Sequence, residues 1–341
     1  MLTVSRLSSM LTLILSIIRT IESQVTSEPL PTNFFLDSDS ISVCTFAHYG
    51  CAIQEQTGVE IGGRAVCWGH DEFEFGLLQP PKDEIFVQLV CTEIFACGIT
   101  LDQSVVCWGN LPQGKSSPGG LFSQIAGSRY FACGVMTDGK INCWGFYAPQ
   151  DFQQLNHNFV QVSCSEVHCC GLNIYGHAIC WGNNYFNQTH TPIIEISASG
   201  EEVVQLEPDD DENYEDDDET DVSEKTTFKE VIFKSVSVGS MSCGIRYKDS
   251  ALQCWGHTKA SPELRNLPGP FRQITTGHHG TCAILEDDRA ICWGLVAGQV
   301  NSVNRTWDQI SIGQNGFCGV TLDSNVVCSD NSKVPDITVP L

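Results

Sequence analysis

Residues 122–145, FSQIAGSRYFACGVMTDGKINCWG, contain the pattern that decides the fold of this chain. Three short apolar stretches alternate with polar residues at a period of two, which is typical of β-strands with one buried face. Asp138-Gly139 separates the second stretch from the third, and Asp-Gly between alternating apolar residues is a strong hairpin signal. The segment therefore predicts three antiparallel strands joined by tight turns.

The hairpin geometry gives the cysteine and the tryptophan separate tasks. With a three-residue loop, positions five residues on either side of the turn centre face each other, so Cys133 lies opposite Cys143. Paired side chains on one face of two strands are close enough for a disulfide bond. Trp144 follows Cys143 and points to the opposite face, where it can pack against a neighbouring unit.

This unit recurs along the chain. Cys-Trp-Gly is found at Cys67, Cys107, Cys143, Cys180, Cys254 and Cys292, and Cys328 occupies a seventh position that has lost the Trp-Gly. Most copies begin with aromatic-x-Gln-aliphatic, led by Phe86, Phe122, Phe159, Phe271 and Trp307, while Phe233 lies one residue closer to its cysteine and Ser40 takes the first place. The predicted hairpin disulfides are Cys51–Cys67, Cys97–Cys107, Cys133–Cys143, Cys170–Cys180, Cys243–Cys254, Cys282–Cys292 and Cys318–Cys328.

Seven short units of this kind cannot each bury an apolar face alone, so they must stack. Closure into a ring and extension into a linear solenoid are both ways to stack them, and a solenoid needs polar capping repeats, of which none is evident. We therefore predict an all-β, seven-bladed β-propeller with short disulfide-stapled blades.

Four cysteines remain outside the hairpin pairs, namely Cys44, Cys91, Cys164 and Cys169. Three connectivities are open for four cysteines. Because Cys44 and Cys91 lie at nearly equivalent positions of consecutive units, we favour a bond between units there, which leaves a local Cys164–Cys169 bond.

The N-terminus favours secretion. Arg6 precedes an apolar run over residues 10–18, which is too short to span a bilayer and is followed by small and polar residues up to Ser23. A buried helix is the alternative. We predict a signal peptide over 1–23, a tail over 24–39 and the propeller over 40–341, without a membrane span. Asn187 and Asn304 each begin an Asn-x-Thr sequon and are predicted glycosylation sites.

The strongly negative net charge indicates which classes of partner the chain can bind. The chain carries a formal charge of −23, and residues 201–224 alone hold fourteen acidic side chains and no basic one. We interpret 197–227 as an acidic disordered loop. A second interpretation is an arm for a basic partner or for Ca²⁺, in which Tyr214 is a candidate for sulfation. Nucleic acid is excluded as a partner, because binding it requires basic patches.

The complete unit resembles the repeat of the regulator of chromosome condensation superfamily over about residues 40–341. Its paired cysteines and short period look most like the ectodomain repeats of Crinkly-type plant receptor kinases, and a secreted bacterial β-lactamase inhibitor is also similar. The resemblance implies a seven-bladed propeller whose loops on one face bind a protein or peptide. Superfamily members include an exchange factor for a small GTPase, ubiquitin-ligase modules and receptor ectodomains, so the fold transfers and no single function does.

The sequence contains no recognisable catalytic or metal-binding motif. The exposed pair His278-His279 is better explained as part of a loop than as a metal or acid–base site, and no zinc-type Cys-x₂-Cys spacing is present. We expect a secreted, monomeric, non-enzymatic protein without a cofactor that binds a protein or peptide ligand, with a basic ligand favoured by the second interpretation of the insert. The alternatives are a receptor-ectodomain-like fragment, an exchange-factor-like regulator and an unrecognised secreted hydrolase.

Overall fold

A computed structural model describes residues 43–55, 58–59, 61–112, 117–149, 158–196, 202–205, 227–257, 262–294, 296–300, 305–314 and 316–329. The predicted signal peptide and tail, Tyr214 and Asn304 lie outside these ranges. Across the described part of the chain, no helix has the length and apolar character needed to cross a bilayer.

Strands dominate the structure. In chain order they are β1 Val43–Phe46, β2 Tyr49–Glu55, β3 Gly63–Gly69, β4 Phe86–Cys91, β5 Phe95–Thr100, β6 Val105–Gly109, β7 Phe122–Gly127, β8 Phe131–Met136, β9 Ile141–Gly145, β10 Phe159–Cys164, β11 His168–Asn173, β12 Ala178–Gly182, β13 Ile193–Ile196, β14 Glu202–Gln205, β15 Thr227–Glu230, β16 Phe233–Val238, β17 Met241–Arg246, β18 Leu252–Gly256, β19 Phe271–Thr276, β20 Gly280–Leu285, β21 Ala290–Gly294, β22 Trp307–Ile312, β23 Phe317–Thr321 and β24 Val326–Cys328. A 3₁₀ turn at Pro262–Arg265 and one helical turn, Ala297–Val300, lie in connecting segments.

Seven three-stranded antiparallel units are built from these strands, and we number them 1 to 7 along the chain. They are β1–β3, β4–β6, β7–β9, β10–β12, β16–β18, β19–β21 and β22–β24. Units 1 and 2 form one six-stranded sheet, because Gly63 in β3 pairs with Phe86 in β4. Each unit packs against the next and unit 7 packs against unit 1, so the units form a closed ring. The predicted all-β propeller is confirmed.

The turn between the second and third strands has the predicted form. In unit 3 the N–H of Met136 donates to the carbonyl of Lys140 at 2.7 Å, which closes a three-residue loop. Gly139 has a φ of 78°, the left-handed conformation that completes such a loop. Units 2 and 7 place Gln103 and Ser324 at the same point with φ of 66° and 61°. The loop shape is therefore retained where glycine is absent.

Nine disulfide bonds use all eighteen cysteines. Seven join directly opposed residues of the second and third strands within a unit, as Cys133 opposite Cys143 shows. The other two are Cys44–Cys91, which connects β1 to β4, and Cys164–Cys169, which lies inside the β10–β11 hairpin.

Among the described residues, the core consists of seven separate hydrophobic clusters, one at each contact between neighbouring units. Each cluster joins the disulfide side of one unit to the aromatic side of the next. Between units 2 and 3, Cys97 and Cys107 meet Phe122 and Trp144, whose rings lie 5.5 Å apart. Truncating a buried aromatic side chain of this kind to alanine costs about 3–5 kcal/mol. The alternation of cysteine and tryptophan therefore builds both sides of every contact.

Unit 7 shows how the pattern survives the loss of its Cys-Trp-Gly. Ser329 follows Cys328 where the other units have tryptophan. The strand β22 begins with Trp307 in place of phenylalanine, and Trp307 contacts Phe317 with ring centroids 5.8 Å apart. Trp307 is fully buried in the contact with unit 6. A tryptophan at the start of the unit thus fills the space left at its end.

Part of the acidic insert forms strands that the sequence does not predict. An additional three-stranded sheet has the order β14-β13-β15, in which Ile194 pairs with Val204 and with Lys229. The prediction of a disordered loop over 197–227 is therefore wrong for residues 202–205 and at position 227. The β-branched pair Val203-Val204 favours a strand in spite of the surrounding charge. Residues 197–201 and 206–226 lie outside the described part of the chain.

Candidate functional site

The first strand of every unit is the innermost, and together these strands surround a central cavity of about 280 Å³. The cavity is lined by residues 44–46, 89–91, 124–129, 161–167, 235–240, 273–278 and 310–314. Serine, threonine, glycine and valine together make up more than half of these residues. The turns that follow the first strands reach the same cavity, so they lie together at its mouth.

We call the side of the ring that carries these turns the front face. The ends of the third strands lie on it too, because each third strand pairs in antiparallel fashion with the second; Phe131, for example, lies opposite Gly145. The turns between the second and third strands form the opposite side, which we call the back face. Loops from every unit therefore surround the cavity mouth on one face.

The glutamine of the aromatic-x-Gln motif connects neighbouring units around the cavity. Gln124 accepts a hydrogen bond from the N–H of Val162 at 2.8 Å and donates to its carbonyl at 3.0 Å. Gln88 makes the same pair of bonds to Ile125, at 2.8 and 3.1 Å. Such a side chain satisfies backbone groups on the exposed edge of the adjacent inner strand. The glutamine thus fixes the spacing of the units, a role that the sequence analysis did not recognise.

Unit 5 departs from this arrangement. Ser235 occupies the glutamine position of unit 5, and its buried hydroxyl has no hydrogen-bond partner within the described structure. The adjacent units are instead connected two residues further along, where Ser237 accepts from the N–H of Thr276 at 2.9 Å. The contact between units 5 and 6 therefore lacks the bidentate bridge that is found between units 2 and 3 and between units 3 and 4.

Charged side chains gather at the cavity mouth on the turns of units 2, 3 and 4. The guanidinium of Arg129 donates two hydrogen bonds to the carboxylate of Glu93. A second carboxylate, that of Glu166, lies 3.5 Å from the guanidinium. The bond to Glu93 holds the pKa of Arg129 above its ordinary value, so the guanidinium stays charged. Two carboxylates surround one cation, which leaves a net negative charge at the mouth.

Exposed aromatic residues flank this cluster on both sides. Arg129 stacks over the ring of Tyr130 at 4.9 Å, and Tyr130 contacts Tyr147 with ring centroids 6.2 Å apart. In unit 4 the rings of Tyr185 and Phe186 lie 4.8 Å apart. The front face of units 3 and 4 therefore carries tyrosine, phenylalanine and arginine side chains, which are residue types enriched at protein interfaces.

A buried histidine lies directly beneath this face. His168 contacts the hydroxyl of Ser165 at 3.0 Å and that of Ser242 at 2.8 Å, and only 2% of its surface is exposed. Burial lowers the pKa of His168 to about 4, so the imidazole is neutral near pH 7. Since Ser242 belongs to unit 5, the neutral ring connects units 4 and 5.

The exposed pair His278-His279 lies at the cavity mouth, where the two rings contact each other at 4.2 Å. Cys133, Cys164 and Cys169 bring their sulfur atoms within 4.8 Å of one another, but all three belong to disulfide bonds and offer no thiolate to a metal. Asn187 lies in the loop after β12 with a φ of 57° and is partly exposed.

The charged and aromatic residues of the front face were not identified from the sequence. They lie in the turns after the first strands and in the segments after the third strands, where the units differ most. The signal that could have found them is this departure from the repeat: Ser128-Arg129-Tyr130 and Ser165-Glu166-Val167 occupy equivalent turns with different chemistry.

No protein-family profile matches the chain. Over 71 residues the chain is 31% identical to a serine/threonine-protein kinase-like protein, CCR2, of Arabidopsis thaliana. That match covers 20% of this chain and 9% of the relative, so the chain spans only a small part of the curated protein that it matches.

Solved structures resemble the chain over most of its length. The CRINKLY WD40 ectodomain of the receptor kinase ACR4 from Arabidopsis thaliana is 20% identical, with a TM-score of 0.61 over 89% of this chain and 98% of that one. The ectodomain of the receptor kinase CR4 from Physcomitrella patens is 18% identical, with a TM-score of 0.60 over 84% of this chain and 72% of that one.

Prp20p from Saccharomyces cerevisiae is 14% identical, with a TM-score of 0.53 over 82% of each chain. Identities at this level establish the fold and not a shared activity. The resemblance predicted from the repeat is confirmed: the chain has the propeller fold of the Crinkly-type receptor-kinase ectodomains and of the regulator of chromosome condensation.

Proposed function

We propose that this chain is a secreted, non-enzymatic recognition protein that binds a protein or peptide ligand on its front face. The observation that supports the proposal most directly is the cavity mouth, around which the units present turns of differing chemistry on a rigid ring. Binding residues are commonly found on loops that a rigid scaffold positions.

The disulfide bonds support the secreted location. All eighteen cysteines are paired, and bonds of this kind persist in oxidising compartments. The apolar run over residues 10–18 has the character of a secretion signal. Asn187 is partly exposed, so a glycan could be attached to it. These features favour extracellular recognition over an exchange-factor-like role inside the cell.

A receptor-ectodomain-like role in ligand signalling is the second candidate. It is favoured by the similarity of the fold to ectodomains of two plant receptor kinases. Both candidates require recognition of an extracellular ligand. They differ in whether the bound state is passed to an attached or associated signalling domain.

Expression of the chain in eukaryotic cells tests the proposal. We expect the protein in the medium, cleaved near Ser23, without free thiols, and lighter after treatment with a peptide-N-glycosidase. Cross-linking of this material on the surface of source tissue should then identify a protein partner. Retention of the chain in the cytosol with reactive thiols would refute the proposal. An absence of any saturable binding to cells or peptides would also refute it.

A further inference from the structure

We propose that the front face of units 3 and 4 binds a peptide segment through a lysine or arginine side chain of that segment. The surface consists of Arg129, Tyr130, Tyr147, Glu166, Tyr185 and Phe186, and we call it the front-face arc. The inference rests on the proposed function and specifies its site and the chemistry of its ligand.

The first half of the arc is continuous. The ring of Tyr147 contacts that of Tyr130 at 6.2 Å, and Tyr130 lies under the guanidinium of Arg129 at 4.9 Å. Arg129 in turn reaches Glu166 of the next unit at 3.5 Å. Two tyrosines of unit 3 are thus connected to a carboxylate of unit 4, across the boundary between the units.

The second half of the arc begins beside Glu166. The carbonyl of its neighbour Val167 accepts a hydrogen bond from the N–H of Asn183 at 2.9 Å. The side chain of Asn183 accepts from the N–H of Tyr185 at 2.9 Å, which positions the loop that carries Tyr185 and Phe186. Ring contacts, one ion pair and hydrogen bonds of the backbone therefore connect the residues of the arc across the two units.

Two rings of the arc are the most exposed large hydrophobic side chains in the part of the chain that the structure describes. Tyr147 is 87% exposed and Tyr185 is 81% exposed. Tyrosine and arginine are enriched among the residues that dominate binding energy at protein interfaces. Tyrosine also loses little conformational entropy on binding, because it has only two side-chain torsions.

The loop that carries Tyr185 and Phe186 is held in place before any ligand arrives. The buried side chain of Gln188 accepts from the N–H of Phe186 at 2.7 Å, and the backbone carbonyl of Gln188 accepts from the indole of Trp255 at 3.0 Å. Asn184 accepts from the N–H of Thr189 at 2.9 Å. A loop fixed in this way does not have to be ordered by the ligand, which reduces the entropic cost of binding.

The charges of the arc favour a cation. In the described structure, Arg129 donates its two side-chain hydrogen bonds to Glu93, so its positive charge is largely neutralised by that carboxylate. Glu166 lies further away, at 3.5 Å, and its side chain is 32% exposed. A lysine or arginine of the ligand would meet this carboxylate on a surface rich in tyrosine, and carboxylates and tyrosine ring faces both attract such cations. The net charge of −23 attracts a basic segment to the surface.

A random peptide display library, panned against the immobilised, secreted full-length chain, provides the probe. We expect the enriched peptides to share at least one lysine or arginine and to bind more weakly as salt is raised. One enriched peptide is then synthesised and its affinity measured for variants of the chain. Enrichment of peptides without a basic residue would overturn the inference.

The variants separate the site from the fold. Tyr147→Asn, which keeps a residue that tolerates the φ of 59°, and Tyr185→Ala should each weaken binding roughly tenfold. Glu166→Gln should weaken binding and reduce its salt dependence. The matched controls on the back face, Tyr247→Ala and Glu286→Gln, should leave the affinity unchanged.

Two further outcomes distinguish the inference from the function on which it rests. Peptide binding that is lost in the back-face variants and kept in the arc variants would overturn the inference, while recognition by the propeller would stand. Failure of any peptide or protein to bind a chain whose thermal unfolding is normal would refute both.

Discussion

At the scale of single residues, the protonation of His168 makes the stability of the chain depend on pH. Its ring is almost fully buried and contacts hydroxyl groups of units 4 and 5. Because burial lowers its pKa to about 4, the unfolded chain, with a histidine value of 6.5, binds the proton more readily than the folded chain does. The free energy of unfolding contributed by this residue is complete above pH 6.5 and falls as the pH approaches 4.

We therefore expect the wild-type chain to lose up to about 3 kcal/mol of stability through His168 between pH 6.5 and pH 4. His168→Gln removes the titrating group, so the variant should show a shallower loss over this window. Urea unfolding at a series of pH values measures the difference. The exposed His190→Gln serves as the control. Parallel pH profiles for the wild type and His168→Gln would contradict the expectation.

At the scale of the strands, a glutamine side chain of one inner strand forms hydrogen bonds with the backbone of the inner strand in the next unit. Gln124 satisfies both the N–H and the carbonyl of Val162, and Gln88 does the same for Ile125. Ser235 is too short for this task, and its buried hydroxyl has no hydrogen-bond partner among the residues that the structure describes. The contact between units 5 and 6 is therefore a weak point of the ring.

Ser235→Gln should stabilise the chain by about 1 kcal/mol, because the longer side chain can bond to the backbone of Ile274, the residue equivalent to Val162. The reverse change, Gln124→Ser, should destabilise by about 1–3 kcal/mol, since it leaves buried backbone groups unsatisfied. Chemical unfolding of the two variants beside the wild type measures both effects. Destabilisation by Ser235→Gln would show that the neighbouring strand does not accept the bridge.

At the scale of the whole molecule, the ring closes without sharing strands between its two ends. Units 1 and 7 are each built from consecutive strands, and they meet through Val43, Trp68 and Val320 in a hydrophobic cluster. The disulfide bond Cys44–Cys91 fastens β1 to unit 2, and the hydroxyl of Tyr49 donates to the carbonyl of Thr92 at 2.8 Å. Unit 1 is thus bonded to unit 2 on one side and packs against unit 7 on the other.

The two disulfide bonds outside the common pattern should contribute different amounts to the free energy of unfolding. Cys44–Cys91 spans 47 residues and Cys164–Cys169 spans 5. On the loop-entropy model, these bonds contribute about 4 and about 2 kcal/mol, respectively. Replacing Cys44 and Cys91 by alanine should therefore lower stability more than replacing Cys164 and Cys169. Equal losses in thermal or urea unfolding would indicate that ring closure does not depend on the longer bond.

The architecture of each unit could be predicted from local sequence. The alternation of apolar residues, the turn at Asp138-Gly139 and the ten-residue spacing of Cys133 and Cys143 act over a few residues, so their consequences could be derived without knowledge of the remaining chain. The ring of such units followed from the repetition, because no unit can bury its two faces alone.

The sequence by itself therefore determined the three-stranded crosslinked unit and its stacking. Only the tertiary structure decided which side chains of different units meet, as Arg129 meets Glu93 and Glu166, and which backbone groups Gln124 satisfies. The physical reason is distance along the chain. Contacts within a hairpin depend on its register, whereas contacts around the cavity join positions about 37 residues apart and depend on how seven units pack into a ring.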